Sequence, residues 1–207
     1  MQKKDKIQLV SEETGISVRE LNRLNQDFWY HGTTVEGAES IKKHGVIAYY
    51  NLGSELDFGP GFYMTDTCQR AISYISRLPL ITLDGNIQKR KEWTVVEFYF
   101  NPFELLFGGG QYSYRNFPKH NDEFANFVFR NRMSNTDNEN PHNYDVIWGV
   151  MTDNNPVQII ADCKDNVISK ETALERLQKT NSMRQLYIGN QKICDMLNIK
   201  AIIKEGN

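Results

Sequence analysis

The chain has 207 residues, 40% of them hydrophobic and 24% charged, and carries a formal net charge of −2 at pH 7. That length suits one well-buried domain plus an appendage rather than two full domains, and the near-neutral balance excludes a global electrostatic pull toward nucleic acid or anionic membrane. Three scattered cysteines, Cys68, Cys163 and Cys194, form no CxxC pair and read as reduced thiols of an intracellular protein rather than as a disulfide framework.

The N-terminal run Met1-Gln2-Lys3-Lys4-Asp5-Lys6 is not followed by an apolar stretch of signal type, and no apolar run approaches the roughly 18 residues of a membrane span. The expectation is a soluble, cytoplasmic chain with no membrane partner, delivery to another cell being open only by a signal-independent route. Residues 1–26 then predict two short amphipathic helices through Ile7, Val10, Ile16, Val18, Leu21 and Leu24. They are broken at Thr14-Gly15 and restarted by a capping box, Ser17 with Glu20. Lys3, Lys4, Lys6, Arg19 and Arg23 are candidate phosphate contacts of a partial helix-turn-helix, whereas a helical appendage packed on the main domain needs no such partner.

From residue 27 to 207 the pattern is that of one α+β domain. A strand is expected over 28–31, a helix over 35–44 stopped by Gly45, a strand or extended loop over 45–50, and irregular chain over 53–61, where three glycines and a proline fall close together. A short strand over 62–65 leads to a helix over 67–76. Trp93 to Phe100, rich in β-branched and aromatic residues, is the clearest strand. Gly108-Gly109-Gly110 marks a turn, followed by a helix over 121–133, a polar loop over 134–143 and a buried strand over 144–151. A helix over 169–180, a strand over 184–188, a helix over 191–197 and a strand over 199–203 complete the chain.

Two glycine-flanked motifs stand at strand ends that lead into helices: Tyr30-His31-Gly32-Thr33 and Phe58-Gly59-Pro60-Gly61-Phe62-Tyr63. The imidazole of His31 can hold a ribose hydroxyl, and the missing Cβ of Gly32 opens a backbone edge to a planar amide. The rigid Gly59-Pro60-Gly61 turn aims Tyr63, whose face can stack on a nicotinamide ring. The four histidines have no metal-ligand spacing, so no metal is expected.

In this order the motifs resemble the ADP-ribosyltransferase superfamily, nearest to the branch typified by diphtheria toxin and the poly(ADP-ribose) polymerases. In that branch an aromatic or apolar residue precedes His-Gly-Thr, a helix follows, and then comes Phe-Gly-x-Gly-hydrophobic-Tyr with a further helix. Here these are His31-Gly32-Thr33, Ile41 through Gly45-Val46, and Phe58 to Tyr63 with Asp66 and Ala71 after. The run is also similar to a bacterial group of that superfamily marked by Asp-Phe-Gly-x-Gly-Phe-Tyr-x-Thr. The resemblance implies an α+β fold of two mainly antiparallel sheets with peripheral helices, NAD as the substrate, and a toxin-like glycosyltransferase that moves one ADP-ribose to a protein or nucleic-acid acceptor. It also leaves room for a neutralising partner protein.

It further implies site roles. His31 holds the adenine-side ribose, the Gly32 backbone the nicotinamide amide and Tyr63 the nicotinamide face, while Thr33, Gly61 and Phe62 complete the cofactor-binding set. A loop around Asn51 to Asp57 closes over the dinucleotide, and Arg70 and Arg77 are placed to meet pyrophosphate. The third catalytic residue, usually glutamate on a late strand, corresponds to Gln185, with Gln191 as the alternative, and the acceptor loop to residues 178–182. A glutamine can grip a 2′-hydroxyl but cannot serve as general base, whose loss typically costs about 10²- to 10⁴-fold in rate. Two other classes therefore stay open: an NAD- or ADP-ribose-binding module without catalysis, and a nucleic-acid binder that uses the N-terminal helices.

Overall fold

A computed structural model describes residues 3–51, 56–81, 87–89, 92–107, 111–134, 141–152 and 155–205. The Gly108-Gly110 turn, the centre of the polar 134–143 loop and residues 52–55 of the loop expected to close over a dinucleotide lie outside them. Among the described residues the chain runs α1 (Lys3–Thr14), α2 (Val18–Leu24), β1 (Phe28–Thr33), α3 (Val35–His44), β2 (Phe62–Met64), α4 (Cys68–Ile75), β3 (Pro79–Ile81), β4 (Ile87–Lys89) and β5 (Trp93–Tyr99). It continues α5 (Pro102–Phe107), β6 (Tyr114–Phe117), α6 (Asp122–Met133), β7 (Val146–Val150), α7 (Pro156–Lys164), α8 (Lys170–Leu177), β8 (Arg184–Ile188), α9 (Gln191–Cys194) and β9 (Asn198–Glu205). The fold is α+β. No helix among these residues is long and apolar enough to cross a membrane.

The chain forms two compact units, the first made of residues 1–47, 63–111 and 191–207 and the second of 48–62 and 112–190. The first unit is built on a three-stranded antiparallel sheet in the order β1-β5-β9. Its central strand shows why: Thr94, Val95 and Val96 are all fully buried, so both faces of β5 are covered. Helix α4 packs on β1 and β5, and α3 on β5 and β9. Helices α1 and α2 pack on each other and on α5, which the sequence did not announce. The Ser17 hydroxyl accepts the Glu20 N–H as the capping box requires, and Glu20 is itself buried and paired with Arg23 at 3.3 Å.

The second unit holds β8, β7 and β6 of a four-stranded sheet that also includes β2, the strand at which the chain leaves this unit. The pair β7–β8 is antiparallel and β6–β7 parallel. Parallel neighbours need a crossover, and α6 supplies it between β6 and β7. Every residue of β7 is buried. Between these elements lies an aromatic core in which Phe58 is fully buried, 5.8 Å from Phe117 and 6.3 Å from Tyr187 between ring centroids.

Several local expectations change. Of the two alternatives for residues 45–50 the strand is absent and the segment is loop, with turns at 48–50; α9 ends at Cys194 rather than 197, and β9 begins one residue earlier and ends two later than 199–203. The β3–β4 hairpin, α5, β6 and α7 are elements that the sequence pattern left unassigned.

Candidate functional site

In the first unit the segments around His31 and Tyr63 meet. Tyr30 and Thr65 exchange backbone hydrogen bonds, Tyr30 N–H to Thr65 O at 3.0 Å and Thr65 N–H to Tyr30 O at 2.8 Å. Beside this bridge His31 Nδ1 lies 2.7 Å from Tyr63 O. A carbonyl only accepts, so the proton of the neutral ring sits on Nδ1 and Nε2 becomes the acceptor nitrogen. Burial lowers the His31 pKa below its ordinary value, outweighing the Tyr63 carbonyl bond that raises it, and so keeps the ring neutral at pH 7. Tyr30 stands directly opposite Glu97 of β5, and burial together with that carboxylate pushes its hydroxyl up to about 12.

The glycine of the first motif has a packing reason of its own. A Cβ on Gly32 would lie 2.7 Å from Ala71 O and 3.0 Å from Ile75 Cβ, so β1 can approach α4 only with glycine there. The openness expected on the side-chain side of Gly32 is therefore taken by α4; what a ligand could meet is the backbone. Thr34 caps α3 by accepting the Gly37 N–H, and Thr33 Oγ1 occupies the space a Gly37 side chain would need. Arg70, expected to face pyrophosphate, is paired with Asp66 one helical turn before it.

In the second unit the Gly59-Pro60-Gly61 turn is seated on Tyr187. The Tyr187 hydroxyl donates to Pro60 O at 2.9 Å, and a Cβ on Gly61 would fall 2.0 Å from its ring. Asn51 clamps the same glycine: Asn51 Nδ2 donates to Gly61 O at 2.9 Å, and Gly61 N–H donates to Asn51 Oδ1 at 2.8 Å. Phe62 is 7% exposed, so its side chain is core. Asn51, the first residue of the expected closing loop, is thus fixed by hydrogen bonds.

Asp57, the residue before Phe58, anchors a buried polar network that the sequence did not reveal. Arg132 Nη2 donates to Asp57 Oδ1 at 2.7 Å and Arg132 Nε at 3.0 Å, with both residues nearly inaccessible. Thr152 donates its N–H to Oδ2 at 2.9 Å and its hydroxyl to Oδ1 at 2.7 Å, and Asn131 Nδ2 reaches Asp57 O at 2.9 Å. Burial pushes the Asp57 carboxyl up, but the Arg132 guanidinium and the Thr152 donors more than offset it and hold the carboxyl below its usual range.

Gln185 belongs to this network. It lies on β8, is 3% exposed, and its Nε2 donates to Asp57 Oδ2 at 3.0 Å. Gln191, the alternative third residue, opens α9 in the first unit, and its Nε2 donates to Val46 O at 2.9 Å. The expected acceptor loop is pinned by Asn181, whose Nδ2 donates to Met151 O and whose Oδ1 accepts the Met183 N–H, both at 2.7 Å. Asp57 lay in plain view just before the second motif, but Arg132 and Thr152 carry no local signal of their partner.

The chain has no match among curated proteins. The model of one family matches residues 29–199, most of the chain and both motifs together with Gln185. The chain belongs to that family, described as a protein of unknown function (DUF3990).

Proposed function

We propose that this protein is a mono-ADP-ribosyltransferase that moves ADP-ribose from NAD to a macromolecular acceptor and releases nicotinamide. One observation carries the reading: the 2.7 Å contact between His31 Nδ1 and Tyr63 O, which ties the two resembling motifs together and fixes the imidazole tautomer. A neutral ring with Nε2 as acceptor suits a ribose hydroxyl. The Tyr63 side chain, partly buried between buried neighbours on β2, offers an aromatic face for nicotinamide.

In the reaction the bond between ribose C1′ and the nicotinamide nitrogen breaks, its electron pair neutralises the pyridinium, and positive charge builds on the sugar. The acceptor forms the new bond to C1′ and gives up its proton. Stabilising that cation is the main task of the site. Gln185 can hold a hydroxyl but takes no proton, so the acceptor must be a good nucleophile or find its base elsewhere.

Labelled NAD incubated with the protein and a cell lysate tests this directly. Release of nicotinamide and label on protein or nucleic acid are expected, and Tyr63→Ala abolishes both while leaving the carbonyl that His31 bonds. Measurable NAD binding with neither release nor label would sink the transferase. It would favour the second reading, a non-catalytic NAD- or ADP-ribose-binding module, which the burial of Gln185 against Asp57 supports.

A further inference from the structure

We infer that Asp57 is a positioning residue for Gln185, and that its carboxylate makes position 185 a place for an amide and not for a glutamate. The contact is Gln185 Nε2 to Asp57 Oδ2 at 3.0 Å, between side chains that are 3% and 4% exposed. A carboxylate only accepts, so the amide must turn its nitrogen to Asp57; the other amide hydrogen faces Val150 O at 3.5 Å. Oε1 is thereby left as the acceptor group that Gln185 presents, suited to a hydroxyl-bearing ligand such as a ribose. This last step rests on the transferase reading, whereas the pairing itself does not.

The surroundings explain why a carboxylate cannot stand at 185. Among the described residues the charged group facing Asp57 is Arg132 of α6, already engaged through Nε and Nη2. The titratable groups beside the same turn are His142, with Nε2 2.7 Å from Phe58 O, and Tyr187 of β8, bonded to Pro60 O. Both are held to backbone carbonyls and supply no second cation. A glutamate at 185 would set two carboxylates against each other with one guanidinium between them, and like charges so close do not both ionise. The departure from the glutamate of the resembling superfamily is thus a consequence of the Asp57–Arg132 pair.

The test is a double-mutant cycle of Asp57→Asn and Gln185→Glu, with melting followed from pH 5 to pH 8. Gln185→Glu is expected to melt about 10 °C below the wild type at pH 8. A carboxyl with a like-charged neighbour has its folded pKa raised, so stability is lost as pH rises through that value and the gap to wild type narrows toward pH 5. The double variant is expected to melt above Gln185→Glu at pH 8, although Asp57→Asn alone destabilises. Additive effects, or a gap that does not change with pH, overturn the pairing. Should Gln185→Glu fail to fold at pH 8, Gln185→Met decides: a smaller, pH-independent loss supports the proposal and an equal failure overturns it. Absence of nicotinamide release by the wild type, with the coupling present, overturns the transferase reading and supports the pairing.

Discussion

The two units hold their motif segments by different means. In the first, the link is made mainly by main chain: Tyr30 and Thr65 exchange backbone bonds, and the His31 side chain grips a carbonyl. In the second, the turn around Phe58 is held by side chains, a buried carboxylate with an arginine, a threonine and a glutamine converging on it from α6, the end of β7 and β8. A backbone link tolerates substitution of the residue that supplies the carbonyl. A buried charge network does not, since removal of one member strands another away from water. Chemistry can therefore be altered at Tyr63 with little harm to the fold, whereas around Gln185 chemistry and stability are coupled.

The contrast breaks most visibly at Arg132. Arg132→Met leaves Asp57 buried without its cation and is expected to cost about 3–5 kcal/mol in urea unfolding; a loss below about 1 kcal/mol would show that the network is not anchored by charge. Gly61→Ala comes next, because its methyl must displace the Tyr187 ring. A loss of about 1–3 kcal/mol is expected, partly recovered by shortening residue 187 in the same chain. Tyr63→Ala sharpens the comparison from the other side: its unfolding free energy is expected to stay within about 1 kcal/mol of wild type, with the His31 contact retained. The smallest effect is in pH dependence. Burial lowers the pKa of His142, as does nearby Arg130, against the raising effect of the Phe58 carbonyl bond. The unfolded chain thus takes up the proton first, and stability falls as pH drops below the ordinary histidine value near 6.5. His142→Asn is expected to flatten that slope between pH 7 and 5 in denaturant titrations, and an unchanged slope would assign it to His31 or to carboxylates.

What was legible in the sequence follows the locality of its causes. Trp93 to Tyr99 announced β5 because β-branched and aromatic residues crowd a strand buried on both faces. Ser17, Ser169 and Gly45 marked helix ends because capping is settled within four residues. Helix α7 carried a weaker sign, Pro156 in its first turn, while Asn155 precedes it in a left-handed conformation and makes no side-chain cap. Strand β6 is four residues, three of them only partly buried, and its parallel partner lies beyond a whole helix. The Asp57 network was hidden for the same reason, its members standing 75, 95 and 128 residues from the carboxylate. Of the candidate site, the residue types of the two motifs could be read, whereas the reason position 185 is an amide could not.

The strand order of the first sheet has a consequence for synthesis. Val96 of β5 pairs on one side with His31, made before it, and on the other with Ile202, made long after it. Between them the ribosome must deliver the greater part of the second unit, residues 112–190. The sheet that carries His31 thus stays one strand short until β9 emerges, and such sequence-distant pairing folds slowly. From the completion of β5 until β9 emerges, a nascent chain has β5 open along one edge. Any activity that depends on that sheet must wait for β9.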